Sequence, residues 1–445
     1  MGISTVAPLL ALFVAVSSIV WGIVYNLYFH PLAKFPGPRL NAASSLPGIF
    51  ALLKGRLPLE NKKLHEKYGS VVRVSPNELA FNSVQAWEDI YGHRPGHTNM
   101  HKDPIHVGSV EAVQGVSTLT MSDDDNHARQ RRALAHSFSQ KALLEQEYIV
   151  KRYVDQLITG AIEQATRRFA AAGSLTQRIL FNMIPARVRG YRSEHLRRSR
   201  AKCLQRLENG NSQHKDFIWY ILKQREKHDL KQDEIIVNSA LFIVAGSETT
   251  ANLLSGLFAR LIWNPDKYQR LVDEIRSSFK SEDEIVYEKL SKLTYLNACI
   301  EEGLRIHPPV PTGLLRTVPK EGDTIDGQWI PGGTSVAVGG WAASHNPVNF
   351  RDCDSFIPER WLDKAYDTDY KKAAQPFSLG PRGCIGRHLS YMEMRLILGR
   401  LLYSFDVVST DGAWQWDPEG EMKNMRAFMT WEKPDLNAKV KLVQR

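Results

Sequence analysis

The sequence predicts a mainly α-helical chain with a small β-rich part, on three observations. Residues 233–263 read as one long helix stopped by Asn264-Pro265, and about thirty residues at ~1.5 Å each would cross a whole domain. Two further stretches read as helices: one opens at Ser122 with Asp123, Asp124 and Asp125 in its first turn, and the other is an apolar run at 389–402. The stretches that read as strands are all short, at 71–74, 78–81, 334–338 and 428–431. With 445 residues the chain can bury a large core, and length alone allows two or three domains.

In chain order, the first signal is for a membrane. Residues 1–29 carry no charged side chain and 6–29 are almost wholly apolar, enough to span the ~30 Å hydrocarbon layer as a helix. A cleaved signal peptide would carry a basic start and a small-residue cleavage site. Neither is evident, which favours a retained anchor. Lys34, Arg39, Lys54 and Arg56 all follow the span, so the positive-inside rule puts the N-terminus in the lumen and the body in the cytosol. Pro31, Pro36, Gly37 and Pro38 make a stiff, non-helical hinge. The expected division is an anchor and hinge at 1–33 and a body at 34–445.

Strands 71–74 and 78–81 flank the turn residues Ser75-Pro76-Asn77. On the helix that opens at Ser122, His127 and Arg131 lie four apart and share a face, with Arg129 and Arg132 beside them. Two cationic donors on one face suit a buried carboxylate partner; a basic surface helix is the plainer alternative. Residues 150–232 include a basic stretch with Arg187, Arg189, Arg192, Arg197, Arg198, Arg200, Lys202 and Arg206. It fits an anionic membrane surface, an acidic partner or a solvated helix face. The net charge of +9 allows the same partners, and no nucleic-acid-binding motif accompanies it. Four widely spaced cysteines argue against a disulfide framework and for a reducing compartment, and no Cys-x-x-Cys pair or Cys/His cluster has zinc spacing.

The long helix carries Ala245-Gly246-Ser247-Glu248-Thr249-Thr250 at its middle. Gly246 costs ~1 kcal/mol against alanine in a helix interior, and an acid and a hydroxyl beside it are expensive to bury without a purpose. Gly246 makes room for a small ligand, while Glu248 and Thr249 can deliver protons and hold water. The alternative is hydroxyls bonded back to helical carbonyls beside a paired core glutamate. Glu302 and Arg305 stand three apart on a helix ending at His307-Pro308-Pro309, where an ion pair is usually a surface feature. Asp326-Gly327 and Pro331-Gly332-Gly333 are turns. Trp341 reads as core, and His345 as a non-ligand in a turn.

The chain is organised around Phe377-Ser378-Leu379-Gly380-Pro381-Arg382-Gly383-Cys384-Ile385-Gly386. A glycine-dense loop lets backbone approach a flat, bulky group, and a cysteine just before a helix sits where free N–H groups and the helix dipole favour its thiolate. An iron porphyrin with one cysteine thiolate as axial ligand needs that combination. An inert half-buried cysteine would satisfy a Gly-rich loop alone. The whole pattern Phe-x-x-Gly-x-Arg-x-Cys-x-Gly resembles the haem-binding loop of the cytochrome P-450 family. The Gly-x-Glu-Thr-Thr and Glu-x-x-Arg motifs and the Pro-Gly-Pro hinge after an anchor resemble that family too.

The resemblance implies the cytochrome P-450 fold, one mainly helical haem domain with a small β-rich side, tethered to the endoplasmic reticulum by a single span. Cys384 would bind the iron of haem b, with Phe377 and Gly386 in the same loop. His127, Arg131, Arg316 and Arg382 would bind the haem propionates. Glu302, Arg305 and Arg360 would form a structural triad, Arg360 coming from Pro358-Glu359-Arg360-Trp361. The reaction implied is monooxygenation of a small hydrophobic substrate with O2, using NADPH through NADPH-cytochrome P-450 reductase, with Glu248 and Thr249 as proton donors. The Tyr25-to-Ala33 entry resembles filamentous-fungal members, many of which oxidise terpenoids or polyketides in secondary metabolism. The chain departs from the family in one place. Only 118 positions separate His127 from Ala245, several tens fewer than usual, so part of the region before the long helix is expected to be missing, with a join near Thr159-Gly160-Ala161. Alternatives are a haem-binding but non-catalytic truncated paralogue and a haem-thiolate isomerase or dehydratase.

Overall fold

The computed structural model describes residues 3–443 apart from 105–112, 114, 166–196, 209–214, 410–423, 435 and 437. Helix α1 (Ile3–Val24) continues into a π-helical turn (Tyr25–Phe29), and the span Leu9–Phe29 has mean hydropathy 2.0 with none of it buried. Past it the chain turns inward, where Leu32 and Phe35 are buried. No helical hydrogen-bonding pattern runs through 30–38, as prolines there require.

The β part gathers segments far apart in sequence. β1 (Val71–Ser75) and β2 (Glu78–Phe81) pair antiparallel across the expected turn. β2 pairs in parallel with β7 (Ser335–Val338), and β4 (Arg316–Thr317) and β3 (His101–Lys102) complete a five-stranded sheet in the order β1-β2-β7-β4-β3. β5 (Asp323–Ile325) and β6 (Gln328–Ile330) form a hairpin around Asp326 and Gly327. Both turn residues have positive φ, 50° and 72°, the geometry that suits the right-handed twist of a two-residue hairpin. β8 (Phe405–Ser409) pairs with β11 (Ala438–Leu442), and β9 (Arg426–Ala427) with β10 (Trp431–Glu432). The strand expected at 428–431 is therefore corrected. Residues 428–430 are the turn between two short strands, closed by Phe428 N–H donating to Thr430 O at 3.1 Å.

The helices that build the site are α2 (Val84–Tyr91), α3 (Asp124–Ala135), α4 (Gln140–Ala165), α5 (Phe217–Arg225), α6 (Gln232–Trp263), α7 (Pro265–Ser278), α8 (Thr294–Ile306) and α9 (Arg387–Ser404). Asp123 rather than Ser122 caps α3, since its carboxylate accepts from Asn126 N–H at 2.8 Å, while the Ser122 hydroxyl donates to Leu119 O. α4 runs unbroken through Thr159, Gly160 and Ala161. α6 confirms the long helix, which passes through the core with Ile235, Ile236 and Asn238 buried. Like α1 it is long and apolar enough to cross a membrane, but it packs against α8 and α9 and is an internal helix. Its Leu253 and Leu257 join Leu271 of α7, Ile300 of α8 and Leu398 of α9 in the largest apolar cluster.

Arg187, Arg189 and Arg192 lie outside the described residues. A helical run at 197–208 carries Arg200 and Arg206, of which Arg206 pairs with Asp216 at 2.6 Å, just before α5. All four cysteines are free thiols, and three of them are buried.

Candidate functional site

The loop at 377–386 folds back on itself before α9. Cys384 N–H donates to Phe377 O (2.8 Å) and Gly383 N–H to Gly380 O (3.0 Å). Gly380 takes φ +66°, and a Cβ there would lie 2.0 Å from Tyr91 O. Glycine is needed twice over, for its left-handed backbone and for close approach to the end of α2. The Phe377 ring lies 5.4 Å from Tyr391 of α9, with the Arg387 guanidinium near both rings. Gly386 is the N-cap of α9. Ile385 packs against an apolar cluster that also takes Leu241 and Phe242 of α6.

Cys384 itself is exposed, while protein atoms crowd one side of its thiol. Burial raises its thiol above the ordinary cysteine value, and the Gly386 N–H, Arg131 and Arg387 oppose that only in part. The helix-start N–H and the two cations act in the expected direction, toward the thiolate, and desolvation in the protein alone acts against them.

The four residues expected to bind carboxylates converge. His127 and Arg131 from α3, Arg316 from β4 and Arg382 from the loop line one cavity of about 470 Å³, with Tyr91 and Asp124. Each arginine is held by one edge. Arg131 Nη1 donates to Gly383 O (2.7 Å), Arg316 Nη1 to Leu315 O (3.0 Å), and Arg382 Nη2 to Ser122 O (2.9 Å) and to Asp124 (2.7 Å). Among the described residues no hydrogen bond reaches Arg131 Nη2, Arg316 Nη2 or Arg382 Nη1. The cations press on one another: His127 is pushed down to about 4 by burial, then by Arg382 and Arg131. Lys102, on β3, is lowered to about 8 by burial, then by Arg316 and Arg382. Such a wall calls for an anion. Arg129 is turned elsewhere, forming an ion pair with Glu234 at the start of α6.

The motif on α6 differs from expectation in burial. Glu248 is exposed and Thr249 half-buried, because the face from Ile243 to Glu248 is covered by none of the described residues. Ile243 and Val244 are 51% and 50% exposed, and a Cβ on Gly246 would meet nothing within 4 Å. The Thr249 hydroxyl donates to Ala245 O at 2.6 Å, the helical back-bond that was the plainer alternative. Asn252 Nδ2 donates to Glu248 Oε1 at 2.9 Å and so steadies the carboxylate. The next hydroxyl along, Thr250, donates to Glu393 of α9 at 3.1 Å. Burial pushes Glu393 up to about 7.

Glu302, Arg305 and Arg360 do meet, and all three are fully buried. Arg305 forks onto Glu302 with two bonds of 2.8 Å, and Arg360 Nε reaches Glu302 Oε1 at 3.3 Å. The remaining donors are satisfied by carbonyls of Ser344, Cys353, Ser355 and Asp352. Two members escaped the sequence reading. Asp369 accepts from Arg360 Nη1 at 2.7 Å, and Trp361 Nε1 donates to Glu302 at 3.1 Å. Trp361 follows Arg360 directly and was visible as part of its motif, whereas no local signal marks Asp369. His345 is buried against Trp341, with Nδ1 3.0 Å from Trp341 O. Burial holds it far below the usual histidine range.

Comparison with known proteins places these features in a family. Residues 180–435 match the family profile described as Cytochrome P450. The chain is 40% identical over 508 positions to Cytochrome P450 monooxygenase aba2 of Botryotinia fuckeliana (strain B05.10), covering 100% of this chain and 96% of the relative. It is 38% identical to Cytochrome P450 monooxygenase efuB of Hormonema carpetanum over 95% of this chain and 94% of the relative. To Cytochrome P450 monooxygenase astA of Talaromyces wortmannii it is 36% identical, over 97% and 96%. The first alignment is 63 positions longer than this chain of 445 residues (508 against 445), so the relative carries residues with no counterpart here.

Proposed function

Because this chain belongs to the cytochrome P450 family, we propose that Cys384 is the axial ligand of its haem iron and that the loop at 377–386 holds the porphyrin. Membership implies a monooxygenase with a haem iron bound by a cysteine thiolate, O2, a hydrophobic substrate and a redox partner. The observation that carries the residue assignment is the cationic cavity beside the cysteine loop. Three guanidinium edges with no hydrogen bond among the described residues, and a depressed His127, fit the two carboxylates of haem b. When bound, haem supplies activation of O2 and transfer of one oxygen atom, the other leaving as water.

The chain's own residues then divide the work. Arg131, Arg316, Arg382 and His127 hold the propionates, and Phe377 and Gly386 shape the loop around the ligand sulfur. Cys384 would hold the haem iron through its sulfur, and the bound metal's charge would favour the thiolate that desolvation in the protein alone disfavours. Glu248, steadied by Asn252, moves protons inward from solvent, and its exposure suits that task. Thr249 holds water or O2 beside the open space at Gly246. Glu302, Arg305 and Arg360 act structurally, joining α8 to the segment before the loop.

Residues 1–33 are the anchor and hinge of an endoplasmic reticulum protein whose domain at 34–445 faces the cytosol. Electrons come from NADPH through NADPH-cytochrome P-450 reductase, and the substrate is a terpenoid or polyketide of fungal secondary metabolism. The positions without counterpart belong before α6, where 118 residues part His127 from Ala245. The test is the carbon monoxide difference spectrum of the reduced, membrane-expressed protein beside Cys384→Ala. A thiolate-type Soret band in the wild type, absent from the variant, is the expected result; a band that survives in Cys384→Ala sinks the assignment.

A further inference from the structure

Among the described residues lining the cationic cavity, Asp124 is the one carboxylate. It follows the cap of α3 by one position, and the sequence marked it only as an acid of a helix start. In the fold it does more than favour a helix dipole. Its Oδ1 accepts from both Nε (3.2 Å) and Nη2 (2.7 Å) of Arg382, and its Oδ2 contacts Nδ1 of His101 on β3. Arg382 stands two residues before Cys384, so this one side chain ties the sheet, α3 and the cysteine loop together. The fork also leaves Arg382 Nη1 with no hydrogen bond among the described residues while the guanidinium lines the cavity. The negative charge of Asp124 favours the charged forms of Arg316 and His127 on the same wall.

We propose that Asp124 is a positioning residue of the cofactor site, fixing Arg382 so that its free edge meets a haem carboxylate. This rests on the assignment of that cavity to the haem propionates. Without Asp124 the Arg382 side chain has one backbone carbonyl to hold it, and a guanidinium so loosely held loses the preorganisation that makes a charge-assisted bond strong. The site then still binds haem through Cys384 but lets it go sooner.

The full chain in detergent micelles serves for the test, with haem transfer to apomyoglobin as readout rather than turnover. Asp124→Asn is expected to speed transfer roughly tenfold, the loss of about one charged hydrogen bond, and Asp124→Glu to restore most of the difference. Asp125→Asn, an exposed acid next door, is the control for local charge. On an Arg382→Gln background the Asn substitution is expected to add nothing, since Asp124 acts through Arg382. Transfer from Asp124→Asn at the wild-type rate, or an undiminished effect on the Arg382→Gln background, overturns the proposal. Should Asp124→Asn fail to unfold cooperatively, Asp124→Glu decides: retention near wild type supports it and release as fast as from Arg382→Gln overturns it. A wild type that carried no haem would overturn the cavity's assignment as well as this role, whereas a loaded wild type matched by Asp124→Asn overturns this role alone.

Discussion

At the scale of single residues, Cys384 and Glu248 show opposite relations between position and environment. The cysteine sits where a helix start should favour its anion, yet burial raises the thiol. The glutamate, expected to be an expensive buried acid, is exposed and needs no compensation. Its proposed role predicts that Glu248→Gln lowers the rate of substrate oxidation by about 10² or more while haem content stays at the wild-type level. Product formation measured against the carbon monoxide spectrum checks both, and unchanged oxidation removes Glu248 from the proton path. Glu393 gives a pH prediction. Its carboxyl is raised from the ordinary 4.5 to about 7 by burial, so the folded state binds the proton more tightly than the unfolded one. Its contribution to stability is full below about 4.5 and is lost as pH rises to about 7. Glu393→Gln should therefore flatten the fall in melting temperature between pH 5 and 7; a variant that keeps the wild-type slope contradicts it.

At the scale of elements, the buried acid of α8 is the main clamp. Glu302 joins Arg305 of its own helix to Arg360 and Trp361, and Arg360 carries the link on to Asp369. Removing one partner from a buried charge network leaves the others uncompensated, at a cost of about 3–5 kcal/mol. Glu302→Ala should lower stability by that order in a denaturant titration and release the segment ahead of the cysteine loop; a loss under ~1 kcal/mol would show the cluster to be dispensable. The three-residue spacing of Glu302-x-x-Arg305 and the Pro-Glu-Arg-Trp segment were legible because each is local. Asp369 was not, because only the fold brings it to Arg360. The hairpin at 426–432 went the same way: its apolar turn residues read as strand, and pairing of the flanking dipeptides decided otherwise.

At the scale of the molecule, an uncharged N-terminal span precedes a folded body whose core unites α6, α7, α8 and α9. Deleting residues 1–29 should move the protein from the alkaline-resistant membrane fraction to one released by carbonate washing, since the long apolar helix is then gone. A deletion that stays resistant would place the tight membrane contact in the body instead. The aligned relative has 63 positions with no counterpart in this chain. The uncovered face of α6 at Ile243 and Val244 and the exposed Tyr153 and Leu157 of α4 lie on the helices either side of the stretch where that shortfall is proposed.

The sequence by itself determined the cysteine loop, the order of the acidic and arginine motifs, the long helix and its proline stop, and the uncharged, apolar N-terminal span. Each is a local pattern, written in residue type and spacing, that physical chemistry reads without knowing the fold. Tertiary structure alone decided that His127, Arg131, Arg316 and Arg382 share one cavity wall, that Asp124 holds Arg382 and Asp369 holds Arg360, and that Glu248 is exposed. Those properties depend on which distant segments meet and on how much water their meeting removes, and neither quantity is carried by any short stretch of the chain.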